Sequence, residues 1–260
     1  MISRSHIIQW AGLGMACLLL GGTSPTLAQT AEKKPLARRV QYGMLLKSLK
    51  FEGKEYRYAL YVPPQYDGSE AFPLITFLHG SGECGSDGLK SAVVGIGSAA
   101  MLQADEWRTL ILIPQKPETR QRWEELDKVI MAMSAETEKR FKVDKERLYL
   151  TGLSQGGYGS WALAAKYPDY WAAVAPVCGG GDPKNAAILA KIPIWAFHGD
   201  KDEAVPLKRS EEMIDAIKAA GGSPKLTVYP GVGHNSWDKA YRDEKLFAWF
   251  LEHKKLGVGK

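Results

Sequence analysis

The chain has 260 residues, 45% of them hydrophobic and 24% charged, with a formal net charge of +5. This is globular composition with ample material for a core, which excludes a disordered or fibrous chain. The basic residues fall in short pairs (33–34, 38–39 and 254–255) rather than in a stripe, so no nucleic-acid partner is expected.

The first 28 residues read as an export signal. Arg4 supplies a basic start, and Ile7 to Leu20 is apolar apart from Gln9. Gly21-Gly22-Thr23-Ser24-Pro25 then breaks the run, and Thr26-Leu27-Ala28 ends it on a small residue. The apolar run is shorter than the roughly 20 residues a spanning helix needs. Cleavage after Ala28 is expected, leaving one domain over 29–260, secreted or periplasmic and without a membrane anchor. Gly14-Met15-Ala16 is a poor lead-in for lipid on Cys17. Past the cleavage point only Cys84 and Cys178 remain, too few for a disulfide framework, although one bridge between them is a candidate. No CxxC or Cys/His cluster suggests structural zinc.

Residues 40–49 and 55–62 read as an antiparallel hairpin around Glu52-Gly53-Lys54, closed by Pro63-Pro64. Short apolar runs follow at 74–78, 110–113, 147–152, 171–177, 192–197 and 225–229, of the kind found in parallel strands covered on both faces. Helical spacing separates them. Leu126, Val129, Ile130, Met133 and Thr137 mark a helix over 124–141. Further helices are expected over 155–167, over 206–220 before Gly221-Gly222, and over 241–253. Gly95-Ile96-Gly97-Ser98-Ala99-Ala100 has dinucleotide-like spacing, but no strand precedes it, so it reads as a loop entering a helix. The whole predicts an α/β fold, a mostly parallel, doubly wound sheet with an antiparallel start. In such sheets ligands bind at the carboxyl ends of the strands, so the loops after 78, 113, 151, 177, 197 and 229 are where chemistry belongs.

Those loops carry a serine, acids and a histidine in that order. TGLSQGG at 151–157 sets Ser154 between Gly152 and Gly156 where strand meets helix. His198-Gly199-Asp200-Lys201-Asp202-Glu203 follows another strand, and Gly233-His234-Asn235 a third. This is the chain order of a Ser-acid-His triad. In that reading Ser154 is the nucleophile and His234 its base, so the rate should rise with pH through the histidine range, near about 6.5. Asp202, farther along its loop than Asp200, is the preferred orienting acid. Asp200 reads as bonding backbone N–H groups of its own turn, and Glu203 as solvated. Gln155, directly after the nucleophile, would give one oxyanion donor. His79 and His198 come early in their loops and read as backbone-orienting.

On LHGSGE (78–83), YLTGLSQGGYGSW (149–161), PVCGGGD (176–182), FHGDKDEAVP (197–206) and GVGHNSWD (231–238), the chain resembles the α/β-hydrolase superfamily. It is most similar to a secreted esterase and peptidase branch near phospholipase/carboxylesterases, dienelactone hydrolases and feruloyl esterases. The resemblance spans about residues 40 to 253. It implies the α/β-hydrolase fold, a second oxyanion donor at Ser81, and a structural role for Glu83. Cys84 stands where the relatives usually carry arginine, so a contact made by that arginine does not transfer. The expected activity is hydrolysis of carboxylic esters, small or polysaccharide-linked, through an acyl-enzyme that needs no cofactor or metal. Trp123 and Trp237, beside strand-end loops, are candidates for the substrate-binding wall or for ordinary packing. Two rivals stand beside the esterase: a serine peptidase of the same branch, and a catalytically silent binding protein on the same fold. A peptidase would be expected to add a domain or long insertion for an extended chain, and none is visible.

Overall fold

The computed structural model describes residues 40–255, so the expected export signal lies outside the described residues. Strands β1 (Gly43–Phe51) and β2 (Lys54–Val62) form the antiparallel hairpin; β1 starts and ends two to three residues later than the sequence suggests, while β2 starts one residue earlier and ends where expected. Their two-residue turn places both Glu52 (φ 48°) and Gly53 (φ 79°) in left-handed backbone. That twist suits a tight hairpin and spares Gly53 any side-chain strain.

The remaining strands are β3 (Phe72–Leu78), β4 (Leu110–Pro114), β5 (Val143–Leu153), β6 (Ala173–Val177), β7 (Trp195–Gly199) and β8 (Lys225–Tyr229). One eight-stranded sheet runs in the order β1-β2-β4-β3-β5-β6-β7-β8. β2 joins β4 antiparallel, and every pairing from β4 to β8 is parallel. The helices are α1 (Ile96–Leu102), α2 (Asp127–Arg140), α3 (Gln155–Lys166), α4 (Ala186–Leu189), α5 (Lys208–Ala219), α6 (Trp237–Ala240) and α7 (Glu244–Glu252).

Two helices start later than the sequence suggests. The helix expected from 124 begins as a 3₁₀ turn at Trp123–Glu125 and becomes α-helical only at Asp127. The helix expected from 241 starts at Glu244, because the Asp243 carboxylate accepts the Lys245 N–H at 3.0 Å and caps it there.

Alternation along the strands divides the core between the two faces of the sheet. Leu110 and Leu112 of β4, and Leu148 and Leu150 of β5, pack with α2, Trp161 of α3, and Met213 and Ile217 of α5. Ile111, Ile113 and Tyr149, their neighbours in sequence, pack with Ile96 of α1 and with Leu246 and Phe250 of α7. Helices thus cover both faces, and the parallel strands deliver their carboxyl ends to one rim.

Candidate active site

At that rim β5 turns into α3 through Ser154, whose φ of 54° and ψ of −118° lie where a side chain is strained, at about 1–3 kcal/mol. Glycines make the turn possible. A Cβ on Gly156 would sit 1.8 Å from the Leu78 carbonyl oxygen, and one on Gly152 would sit 2.4 Å from the Gly156 oxygen. No side chain fits at either position, so strand, turn and helix close on one another only with glycine there. The Ser154 N–H donates to Val177 O at 3.0 Å, anchoring the turn to β6.

The loop after β8 brings His234 to this turn. Its Nε2 lies 2.9 Å from Ser154 Oγ and its Nδ1 2.8 Å from Asp202 Oδ2. Asp202 is buried, and its other oxygen accepts the N–H groups of Ala204 (3.0 Å) and Val205 (2.8 Å). A carboxylate fixed in this way favours the imidazole tautomer with hydrogen on Nδ1, leaving Nε2 free to accept from the serine. Of the three acids on the loop, Asp202 meets the histidine. Asp200 accepts the Gly231 N–H at 2.7 Å, so it bonds the loop after β8 rather than its own turn. Glu203 is exposed.

The loop after β3 presses on the serine from the other side, since a Cβ on Gly80 would lie 3.4 Å from Ser154 Cβ. Glu83 shapes this loop by accepting the Gly80 N–H at 2.9 Å, which takes that donor out of play. The N–H groups of Ser81 and Gln155 have no acceptor among the described residues. Gln155 opens α3, where the helix dipole favours negative charge.

Both early-loop histidines are buried. His79 Nδ1 meets Gly80 O at 2.6 Å, and Nε2 accepts the Lys116 N–H at 2.9 Å. Burial drives its pKa down to about 4, helped by the Lys116 charge and opposed by the Gly80 bond, so this ring is neutral. His198 bonds Ser210 Oγ and Val205 O, each at 2.8 Å, and lies 3.2 Å from Asp202 Oδ2. It packs behind the carboxylate and away from the serine.

Cys84 and Cys178 are both free thiols, so the candidate bridge does not form. Cys178 is buried at the end of β6, and its donor atom lies with those of Asp202 and His234 inside 4.8 Å. This trio is a poor metal site. Both imidazole nitrogens are engaged, and burial pushes the Cys178 thiol up to about 12, away from the thiolate a metal would need.

A cleft of about 660 Å³ begins at Gln155 and runs along α3 past Tyr158 toward Lys166, walled opposite by residues 119–124. Trp123 lines it from a buried position, its Nε1 donating to His79 O at 3.1 Å. Trp237 does not line this cleft; its ring stands edge-on to His234, 5.3 Å between centroids. A second cleft of about 620 Å³ lies between Lys54–Tyr56 and the far side of the same wall, where Arg120 and Gln121 line both. Lys116, Tyr158 and Arg120 were not singled out from the sequence. Their one available signal is position, since Lys116 follows β4 and Tyr158 lies one turn past the serine.

The fold and the Ser154–His234–Asp202 geometry together define an α/β-hydrolase. The family model described as "Dienelactone hydrolase family" matches residues 114–245, about half of the chain. The chain belongs to that family. A solved thermostable esterase superposes with a TM-score of 0.73 at 29% identity, covering 81% of this chain and 63% of that one. A Methylorubrum extorquens protein provisionally named a carboxymethylenebutenolidase is 31% identical over 43% of this chain and 45% of its own length. A carboxylesterase of Arabidopsis thaliana is 29% identical over 36% of this chain and 44% of its own. The chain spans about half the length of the curated relatives it matches first. A feruloyl esterase module from Clostridium thermocellum, at 15% identity and a TM-score of 0.67 over 84% of this chain and 90% of that one, shares the fold.

Proposed function

We propose that the protein is a carboxylic ester hydrolase acting through an acyl-enzyme on Ser154. The observation that carries the reading is the hydrogen-bonded relay at the strained turn, Ser154 Oγ to His234 Nε2 at 2.9 Å and His234 Nδ1 to Asp202 at 2.8 Å. Ser154 Oγ attacks the ester carbonyl as its proton passes to His234 Nε2, and the carbonyl π pair moves onto oxygen. The N–H groups of Gln155 and Ser81 receive that oxyanion, each such donor contributing about 2.7–4 kcal/mol to the transition state. Collapse breaks the bond to the alcohol, which leaves with the proton from His234. Water, deprotonated by the same ring, then attacks the acyl-serine and releases the acid. Asp202 holds the ring and stabilises its charged form throughout.

The esterase names of the 29% identical structure and of the Arabidopsis relative support ester over amide substrates. The cleft beside Gln155 offers room for a sizeable acyl or alcohol group, whether a small-molecule or a polysaccharide-linked ester. The leader-like residues 1–28 support work outside the cytoplasm, as a secreted or periplasmic enzyme.

A fluorophosphonate probe tests the core of this reading. Labelling of the wild type but not of folded Ser154→Ala, together with hydrolysis of short-chain aryl esters far faster than of peptide amides, is the expected result. Wild-type ester turnover by folded Ser154→Ala would overturn it.

A further inference from the structure

Among the described residues Lys116 is the sole buried lysine or arginine, with 1% of its surface exposed, and no carboxylate pairs with it. A buried charge of this kind is tolerated only when its donors are satisfied. The ammonium has three donors and three acceptors around it: Gln155 Oε1 at 2.5 Å, Gln121 O at 2.7 Å and Thr119 O at 3.5 Å. The Trp123 ring lies 5.6 Å from it. Because an ammonium only donates, the Gln155 amide must present oxygen here. With its donors occupied, this lysine is not free to grip a substrate anion.

Its main chain is tied just as firmly. The Lys116 N–H donates to His79 Nε2 at 2.9 Å, and its carbonyl accepts the Gly85 N–H at 3.0 Å. Thr119 of the same wall donates to Ser81 O at 3.4 Å. One residue therefore joins the two segments that carry the N–H groups proposed above as oxyanion donors. We propose that Lys116 is a positioning residue that sets the spacing of the two oxyanion donors, holding Gln155 through its ammonium and the 79–85 loop through its main chain. This rests on the reading of Ser154 as the nucleophile.

The charge state should matter, because a neutral amine would loosen the grip on Gln155. Burial holds the Lys116 pKa below the ordinary lysine value, opposed by Cys84, Glu124 and Glu125. The other charged or titratable groups on the surrounding elements are neutral His79, Glu83, Glu118, Arg120, Arg122, Lys166, Asp182 and the Tyr158 phenol. Turnover should therefore fall at alkaline pH as Lys116 loses its proton.

The test measures kcat, KM and the alkaline pH profile on a short-chain aryl ester for Lys116→Met, Lys116→Arg, Gln155→Met and the Lys116→Met/Gln155→Met double variant. A donor misplaced by about 1 Å costs up to about 10²-fold. Lys116→Met should accordingly lower kcat by about 10- to 100-fold with KM changed little, and should lose the alkaline fall. Lys116→Arg should move that fall to higher pH. If Lys116 acts through Gln155, the double variant should be no worse than the poorer single variant, whereas a merely structural lysine gives additive losses. Wild-type kcat in Lys116→Met, additive losses, or an unchanged alkaline fall in Lys116→Met would overturn the proposal. Should Lys116→Met not fold, Gln155→Met decides alone: wild-type kcat and pH profile there would sink it. Ser154→Ala, run alongside, separates failure of this proposal from failure of the nucleophile assignment.

Discussion

The turn at 152–157 and the cleft wall at 116–122 flank the same reaction centre, yet they are held in shape by opposite means. The turn is fixed by exclusion: backbone oxygens of Leu78 and Gly156 occupy the space where side chains would go. The wall is fixed by attraction, with one ammonium drawing in two of its carbonyls and a neighbouring amide. Exclusion dictates residue type, because only glycine fits. Attraction to carbonyls dictates almost nothing, because every residue has one. The first kind of order is written in a sequence and the second is nearly silent.

The predictions press on that contrast, from the largest expected effect to the smallest. Ser154→Ala should lower kcat on aryl esters by several orders of magnitude, because the oxyanion donors stay while covalent catalysis disappears. Steady-state kinetics beside a circular dichroism spectrum check it, and the turn should keep its fold. Asp202→Asn should cost up to about 10⁴-fold in kcat, since an amide N–H facing His234 Nδ1 favours the wrong tautomer. Asp200→Asn should chiefly lower the unfolding midpoint. If Asp200→Asn harms kcat more in folded protein, the orienting acid is misassigned.

Gly156→Ala attacks exclusion directly. Its methyl group would need the place of the Leu78 oxygen, so soluble, fully active protein is not expected. Gly231→Ala serves as the control, since nothing lies within 4 Å of its Cβ position. Its φ of 72° should still cost about 1 kcal/mol, read as a small shift of the urea midpoint.

The last prediction concerns stability alone, through His79, which bridges turn and wall. Its pKa is lowered to about 4 in the folded chain against 6.5 for the free side chain. Between those values the unfolded chain binds a proton that the native chain does not, so stability falls as pH drops from about 6.5 and levels off below about 4. Urea midpoints compared at pH 7 and pH 5 should fall less for His79→Gln than for the wild type. Equal falls would mean that the acid sensitivity lies elsewhere.

What could be read in advance follows the same division. The strands at 74–78, 110–113 and 225–229 announce themselves because burial on both faces demands unbroken apolar runs. Ser154, Asp202 and His234 stand out because each follows such a run, and the structure brings the three side chains together. The loop after 113 was recognisable as a place for chemistry, but nothing in Lys116-Pro117-Glu118-Thr119 marks a buried lysine, since its partners are carbonyls and a distant glutamine. Trp123 and Trp237 looked equivalent for a related reason. Only tertiary packing shows one against the cleft and the other against the histidine. The Cys84–Cys178 pairing likewise depended on a spatial relation that strand ends alone do not give.

The wall shared by the two clefts also bears on substrate size. Arg120 and Gln121 line both clefts, so the segment from Pro117 to Arg122 acts as a partition between two chambers rather than as the rim of one. Shortening the Arg120 and Gln121 side chains, while keeping the main chain whose Thr119 and Gln121 carbonyls hold Lys116, would join the chambers into a single trough reaching from Gln155 to Lys54–Tyr56 of β2. For an engineer seeking to admit longer chains, this is the place to cut: the partition's side chains can be trimmed without touching the carbonyls that hold Lys116 or the strands that lead into the site.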